Sequence, residues 1–296
     1  MKKVNVLDIS QFHDHDSAED FYANTLEDHL ITRHKDIALP HSHNFYLAIL
    51  FTQGSGIHEI DFTAYEVKPG ALFFLNPGQT HHWVLSEDTK GYIFFHTRNF
   101  YELQYTKSIL SQYPFYYSMH SEPCIYLKNN SLDNFTAFFK SIFKENHSVN
   151  RFKEQALGNL VSLVYIEATR LFDIDNNRLT QSNNNYYTKF RKLEELLELH
   201  YREEKSPAVY ASKLAMTPKH LNRITQAVTG KTITDVIMDR VLLEAKKEMI
   251  LQKGSLNQIA EALGYNDYAY FSRIFKNKTG ETPTDFLYRY IQNKTH

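Results

Sequence analysis

The sequence predicts two domains: an all-β antiparallel barrel or jelly roll with two added helices, then an all-α domain with two helix-turn-helix units joined by a long helix. Three observations carry this. Short apolar runs between Gly and Pro turns fill residues 38–100, with no helical period between them. From Thr188 onward the period is helical, and helix caps and glycines recur at matched places. The charge also changes sign. Residues 186–296 hold 18 Lys and Arg against 13 Asp and Glu, a formal +5, while the other 185 hold 15 against 21, a formal −6. A basic half suits a polyanionic partner, and an acidic half argues against nucleic-acid binding there. A chain of 296 residues is long enough for two cores.

The single cysteine, Cys124, cannot form an intrachain disulfide, which points to a reducing compartment. The opening MKKVNVLDISQFHDHD has no apolar segment of a signal peptide. No run of about 18 apolar residues occurs. The expectation is a cytoplasmic chain with no membrane partner.

In chain order, FYANTLEDHLITRH reads as a first strand or a short helix, and the residues do not choose. Phe45–Phe51 is continuously apolar, as in a strand buried on both faces. After the turn Gln53–Gly56, His58, Ile60 and Phe62 alternate with Ile57, Glu59 and Asp61. Lys68-Pro69-Gly70 turns the chain into Ala71–Leu75, and Asn76-Pro77-Gly78 turns it into the segment of Trp83 and Val84. Gly91 precedes Tyr92–Phe95. Two helices follow within 131–172, one through Leu132, Phe135, Phe139 and Ile142, the other through Leu157, Leu160, Val161, Val164, Ala168 and Leu171. Packing on the barrel accounts for at least one of them. Residues 173–187, DIDNNRLTQSNNNYY, read as an Asn-rich linker of turns and coil.

From Thr188 a helix buries Phe190, Leu193, Leu196 and Leu197. A first helix-turn-helix, about 207–229, runs from Val209–Leu214 through the Thr217-Pro218 cap to Leu221, Ile224, Val228 and Gly230. Ile233–Leu251 is a long connecting helix, about 20 residues and so roughly 30 Å. One turn of B-DNA is about 34 Å, so the helix can place two units in successive major grooves. The second unit, 255–279, opens on a Ser255/Gln258 capping box, stops at Gly264, restarts on Asn266 or Asp267, and buries Phe271, Ile274 and Phe275. Thr282-Pro283 then opens a last helix.

The stretch GYNDYAYFSRIFKNKTGETPTDF closely resembles the second helix-turn-helix of the AraC/XylS family of bacterial transcription regulators. The first unit is similar to the family's first, except that Thr225-Gln226 stands where a Phe-Lys pair is common. That departure implies different inner packing and one phosphate contact fewer. LPHSHNFY and GALFFLNPGQTHHW, with His41, His43, Gly70, Pro77, Gly78 and His81, resemble the cupin-like sensor barrel that many members carry. Domains 1–172 (sensor and dimerisation), 173–187 (linker) and 188–296 (DNA binding) follow.

The resemblance implies a double-stranded DNA partner, a small-molecule effector, and a homodimer built on one of the two added helices. It leans to an activator, and hence to RNA polymerase as a partner. Arg223 and Arg273 are the expected base readers, because Arg binds guanine O6 and N7 bidentately. Lys219, Asn222, Tyr268, Ala269 and Ser272 share their helix faces, and Lys276 with Lys278 suits phosphates. His41, His43 and His81 are expected at the mouth of an effector pocket. Imidazoles also ligate transition metals. Cupin enzymes, however, add a glutamate where Leu47 stands, so neither a metal nor catalysis is expected. The rival readings are a metal-dependent cupin enzyme with a helical appendage, and a DNA-binding dimer with no effector.

Overall fold

The computed structural model describes residues 6–12, 20–32, 40–102, 110–117, 122–176, 181–251 and 253–292. The chain divides into two compact units that part between Asn177 and Arg178.

The N-terminal unit holds β1 (Val6–Leu7), β2 (Phe21–Thr25), α1 (Leu26–Thr32), β3 (Ser42–His43), β4 (Tyr46–Gln53), β5 (Gly56–Ile60), β6 (Thr63–Val67), β7 (Ala71–Leu75), β8 (His81–Leu85), β9 (Lys90–His96), α2 (Arg98–Glu102), α3 (Pro114–Tyr117), β10 (Cys124–Tyr126), α4 (Asn130–Asn146) and α5 (Lys153–Asn176). The ambiguous FYANT-LEDHLIT stretch is therefore a strand followed at once by a helix. A five-stranded antiparallel sheet runs β10-β7-β4-β9-β2, and a three-stranded antiparallel one runs β6-β5-β8. β1 pairs with β3 in parallel.

The apolar runs of β4, β7 and β9 now have a cause. Leu47, Ile49, Phe51, Phe73 and Phe95 face an interior shared with Ile60, Val67 and Trp83 of the smaller sheet. Their sequence neighbours Ala48, Leu50, Phe74 and Phe94 face outward, beneath Phe135, Phe139 and Ile142 of α4 and Leu157, Val161 and Val164 of α5. Side chains alternate across a strand, so a sheet covered on both faces needs apolar residues at every position. Both added helices are thus committed to the sheet. α5 nonetheless keeps Leu163 and Ile166 exposed on its far side.

The C-terminal unit holds α6 (Gln181–His200), α7 (Pro207–Lys213), α8 (Pro218–Thr229), α9 (Ile233–Ile250), α10 (Leu256–Ala262), α11 (Tyr268–Thr279) and α12 (Pro283–Gln292). The expected coil at 173–187 is helical wherever it is described: α5 runs to Asn176 and α6 begins at Gln181, while 177–180 lie outside the described residues. Tertiary packing overrides the Asn-rich composition, since Tyr186 packs against the Phe190, Leu193 and Leu197 core.

The two helix pairs are built alike. Thr217 caps α8 by accepting from His220 N–H, and Asp267 caps α11 by accepting from Ala269 N–H. Gly230 and Gly280 close the two helices. Capping boxes then open the next helices at Thr232/Asp235 and at Thr282/Asp285. The tight turns differ at one place. Gly264 takes the left-handed conformation at φ 80°, and its counterpart Ala215 takes it at φ 52° with a Cβ attached. That conformation costs an L-residue about 1–2 kcal/mol. Glycine gives back about 0.5–1 kcal/mol in unfolded-chain entropy. Ala215→Gly should therefore stabilise the C-terminal unit by about 0.5–1 kcal/mol. A urea midpoint that stays put or falls would contradict this.

Candidate nucleic-acid interface

α8 and α11 each present one face to solvent because the other is packed. Leu221, Ile224 and Thr225 of α8 are buried, as are Phe271 and Phe275 of α11. The Thr225 hydroxyl donates to Asn222 O at 3.0 Å, which settles a buried hydroxyl where the related unit has Phe275. Lys219, Arg223, Ala269, Arg273 and Lys276 are exposed, whereas Tyr268 and Ser272 are half-buried. Arg223 and Arg273 are each the sixth residue of their helix, so the repeat sets two guanidinium groups at one structural position.

Two expected contacts are modified. The Asn222 side-chain oxygen accepts from Ile233 N–H at 3.1 Å, opening α9, so only its amide N–H groups remain for a ligand. Lys278 is paired with Asp235, and that bond, with the Thr232 hydroxyl, holds the Asp235 carboxyl down at about 2.

Two residues join the interface that sequence reasoning passed over. His220 lies three positions before Arg223, and Tyr270 three before Arg273; i, i+3 spacing puts such pairs on one helix face. Arg223 Nη2 donates to His220 Nδ1 at 2.8 Å, and the Arg273 guanidinium lies 6.0 Å from the Tyr270 ring centre. Thr217, Lys219, His220, Asn222, Arg223 and Gln226 line a cavity of about 350 Å³ on the α8 face. The i, i+3 spacing was the available signal.

In the N-terminal unit the structure brings His41, His43 and His81 together, but as interior residues rather than a rim. All are 6% exposed or less, and a fourth, His58, is fully buried beside them. His41 and His81 exchange backbone hydrogen bonds of 3.0 and 2.8 Å. His58 Nε2 and His81 Nδ1 are 2.9 Å apart and share a hydrogen bond. His43 Nδ1–H donates to Phe45 O at 2.7 Å, leaving Nε2 buried without a partner among the described residues; the same holds for His58 Nδ1. Burial first, and then His41, pulls the His43 pKa down to about 3. Burial, then His82, His41 and His43, pulls His58 well below its ordinary value. His43 and His58 are therefore neutral at pH 7. Leu47 lies buried in the same interior. Among the described residues no group of three His, Cys, Asp or Glu side chains is arranged to hold a metal ion, and no helix is long and apolar enough to cross a membrane.

A β-rich sensor unit followed by two capped helix-turn-helix units defines a two-domain, DNA-binding transcription regulator. Residues 31–160 match the family described as AraC-like ligand binding domain, and residues 210–289 match that described as Helix-turn-helix domain. The regulatory protein SoxS of Escherichia coli K12 is 35% identical over 81 residues, which are 27% of this chain and 76% of that one. The HTH-type transcriptional activator RhaS of Pectobacterium carotovorum is 22% identical over 256 residues, 82% of this chain and 85% of that one. Among solved structures, ToxT of Vibrio cholerae with an unsaturated fatty acid bound matches at a TM-score of 0.45 and 12% identity, over 93% of this chain and 97% of that one. The chain belongs to the AraC/XylS family of transcription regulators.

Proposed function

We propose that this chain is a cytoplasmic homodimeric regulator, not an enzyme, that reads DNA with α8 and α11 and takes its effector in the N-terminal barrel. The observation that carries the reading is the repeat: two capped helices, each with an exposed Arg as its sixth residue, in two units joined by α9. The 18 residues of α9 span about 27 Å, close to the about 34 Å between successive major grooves. Arg223 and Arg273 read bases, with Lys219, Ala269, Ser272, Tyr268 and the Asn222 amide beside them. Lys276 binds phosphate.

The effector engages the histidine cluster, where two buried ring nitrogens await hydrogen bonds. The exposed Leu163 and Ile166 of α5 form the dimer contact. The family leans to activators, and RNA polymerase is then the further partner.

Residues 178–296 should fold alone and bind the preferred duplex with unchanged base preference. Losing the dimer removes avidity, a factor of about 10²–10⁴. A fragment without helical circular dichroism, or one with a different base preference, would overturn this division of labour.

A further inference from the structure

The turn after α6 reaches from the first helix-turn-helix unit to the second. Arg202 lies in that turn. Its Nη1 donates to Ala262 O at 3.2 Å, at the end of α10, and its Nη2 donates to Glu244 at 3.1 Å and Glu248 at 2.8 Å on α9. Lys205 donates to Leu263 O at 2.6 Å and also to Arg202 O. Carbonyls at a helix C-terminus lack intrahelical partners, and a cation there is favoured by the helix dipole. The backbones also meet: a Cβ on Gly264 would stand 2.2 Å from Arg202 O.

The contact has one geometry. The Glu248 side chain is only 7% exposed, so moving the turn off α9 would strand a buried carboxylate, and sliding α10 along the turn would take the Ala262 and Leu263 carbonyls from their donors. Glu244 is shared with Arg240, which grips Glu198 of α6 at 2.6 and 2.8 Å. α6, α9 and α10 are thereby tied in a single register.

We propose that Arg202, assisted by Lys205, is a specificity-determining positioning residue: it fixes the separation and phase of α8 and α11, so that the chain discriminates operators by the spacing between their two half-sites. The proposal rests on the reading that both helices occupy successive major grooves. Each base pair inserted between half-sites displaces one of them by about 3.4 Å and about 35°. A rigid pair of helices then loses the base contacts of one half-site, whereas a loosened pair follows.

The test uses the full chain and a duplex selected by it from random sequence, with variants whose spacer is one base pair shorter, one longer and two longer. The wild type should lose about 10–100-fold in affinity for a one-base-pair change, the worth of a bidentate base contact. Arg202→Ala should reduce that penalty to about threefold while leaving single-base discrimination within each half-site unchanged. A double variant, R202M with E248Q, removes both charges together, leaves none buried alone, and carries the test if Arg202→Ala does not fold. Variants that weaken binding equally at every spacing, or keep the wild-type penalty, would overturn the proposal. A wild type indifferent to spacing would instead overturn the two-groove reading beneath it.

Discussion

Acidification from pH 7 to pH 5 is expected to unfold the N-terminal domain. His43, His58 and His96 are buried and neutral, and burial is the leading cause in each case. His96 is held down at about 4 although its hydrogen bonds are complete: Nδ1–H donates to Thr97 O at 2.7 Å, and Nε2 accepts from the Tyr165 hydroxyl at 2.7 Å. An added proton would place a charge in this buried site and force the Tyr165 hydroxyl to turn from donor to acceptor. In the unfolded chain all three titrate near 6.5, so below about pH 6.5, and down to about pH 4 for His96 and about pH 3 for His43, the unfolded state binds more protons than the folded one. Stability therefore falls as pH falls through that window, by up to about 1.4 kcal/mol per pH unit for each histidine. His43 and His96 together amount to a loss on the order of 4 kcal/mol at pH 5, close to the lower end of a whole domain's stability, and His58 adds to it in the same direction. The sole tryptophan, Trp83, reports on it directly, with its ring 5.2 Å from His58 and 5.4 Å from His81. Its emission should shift red and its urea midpoint drop as the pH is lowered. A midpoint unchanged between pH 7 and pH 5 would mean these imidazoles are not buried neutral.

Arg273→Ala should cost about 1–3 kcal/mol, or about 5–150-fold, on the preferred duplex. Phe271 is fully buried two residues earlier, so Arg273 points outward, and it lies in the first half of α11, which meets base edges in such motifs. The loss should fall at one or two base positions. Lys276→Ala differs in kind: a phosphate contact carries no sequence information, so binding to every duplex weakens and the salt slope falls by about one unit. Fluorescence anisotropy across a salt series separates the two outcomes.

Much of this was legible in the sequence because local rules decided it. Caps at Ser255, Thr217 and Thr282, stops at Gly230, Gly264 and Gly280, and the inward stripe of Phe271 and Phe275 follow from short-range hydrogen bonding and helical period. The continuous apolar run Phe45–Phe51 of β4 likewise announced a strand covered on both faces. What stayed hidden depends on distant partners. β10 is three residues long and takes its place only by pairing Cys124 and Ile125 with Phe73 and Leu72. His58 could be placed on one strand face, but its meeting with His81 needs the β5–β8 register. Asn222 looked like a reader from its place on α8, while its oxygen caps a helix eleven residues further on. Arg202 had no local signature at all, since its partners lie 42, 46 and 60 residues away. In the Asn-rich stretch at 173–187 the described residues 173–176 and 181–187 are helical: composition favours coil, and around Tyr186 packing on the core favours helix.

On the proposed reading, two equivalent arginines read two half-sites. The most direct test measures the affinity of the wild type, Arg223→Ala and Arg273→Ala for every single-base variant of the selected operator. Each substitution should erase discrimination at its own one or two positions, and the two sets should lie about one helical turn, 10–10.5 base pairs, apart. Losses spread evenly over all variants, or falling at the same positions for both arginines, would contradict it.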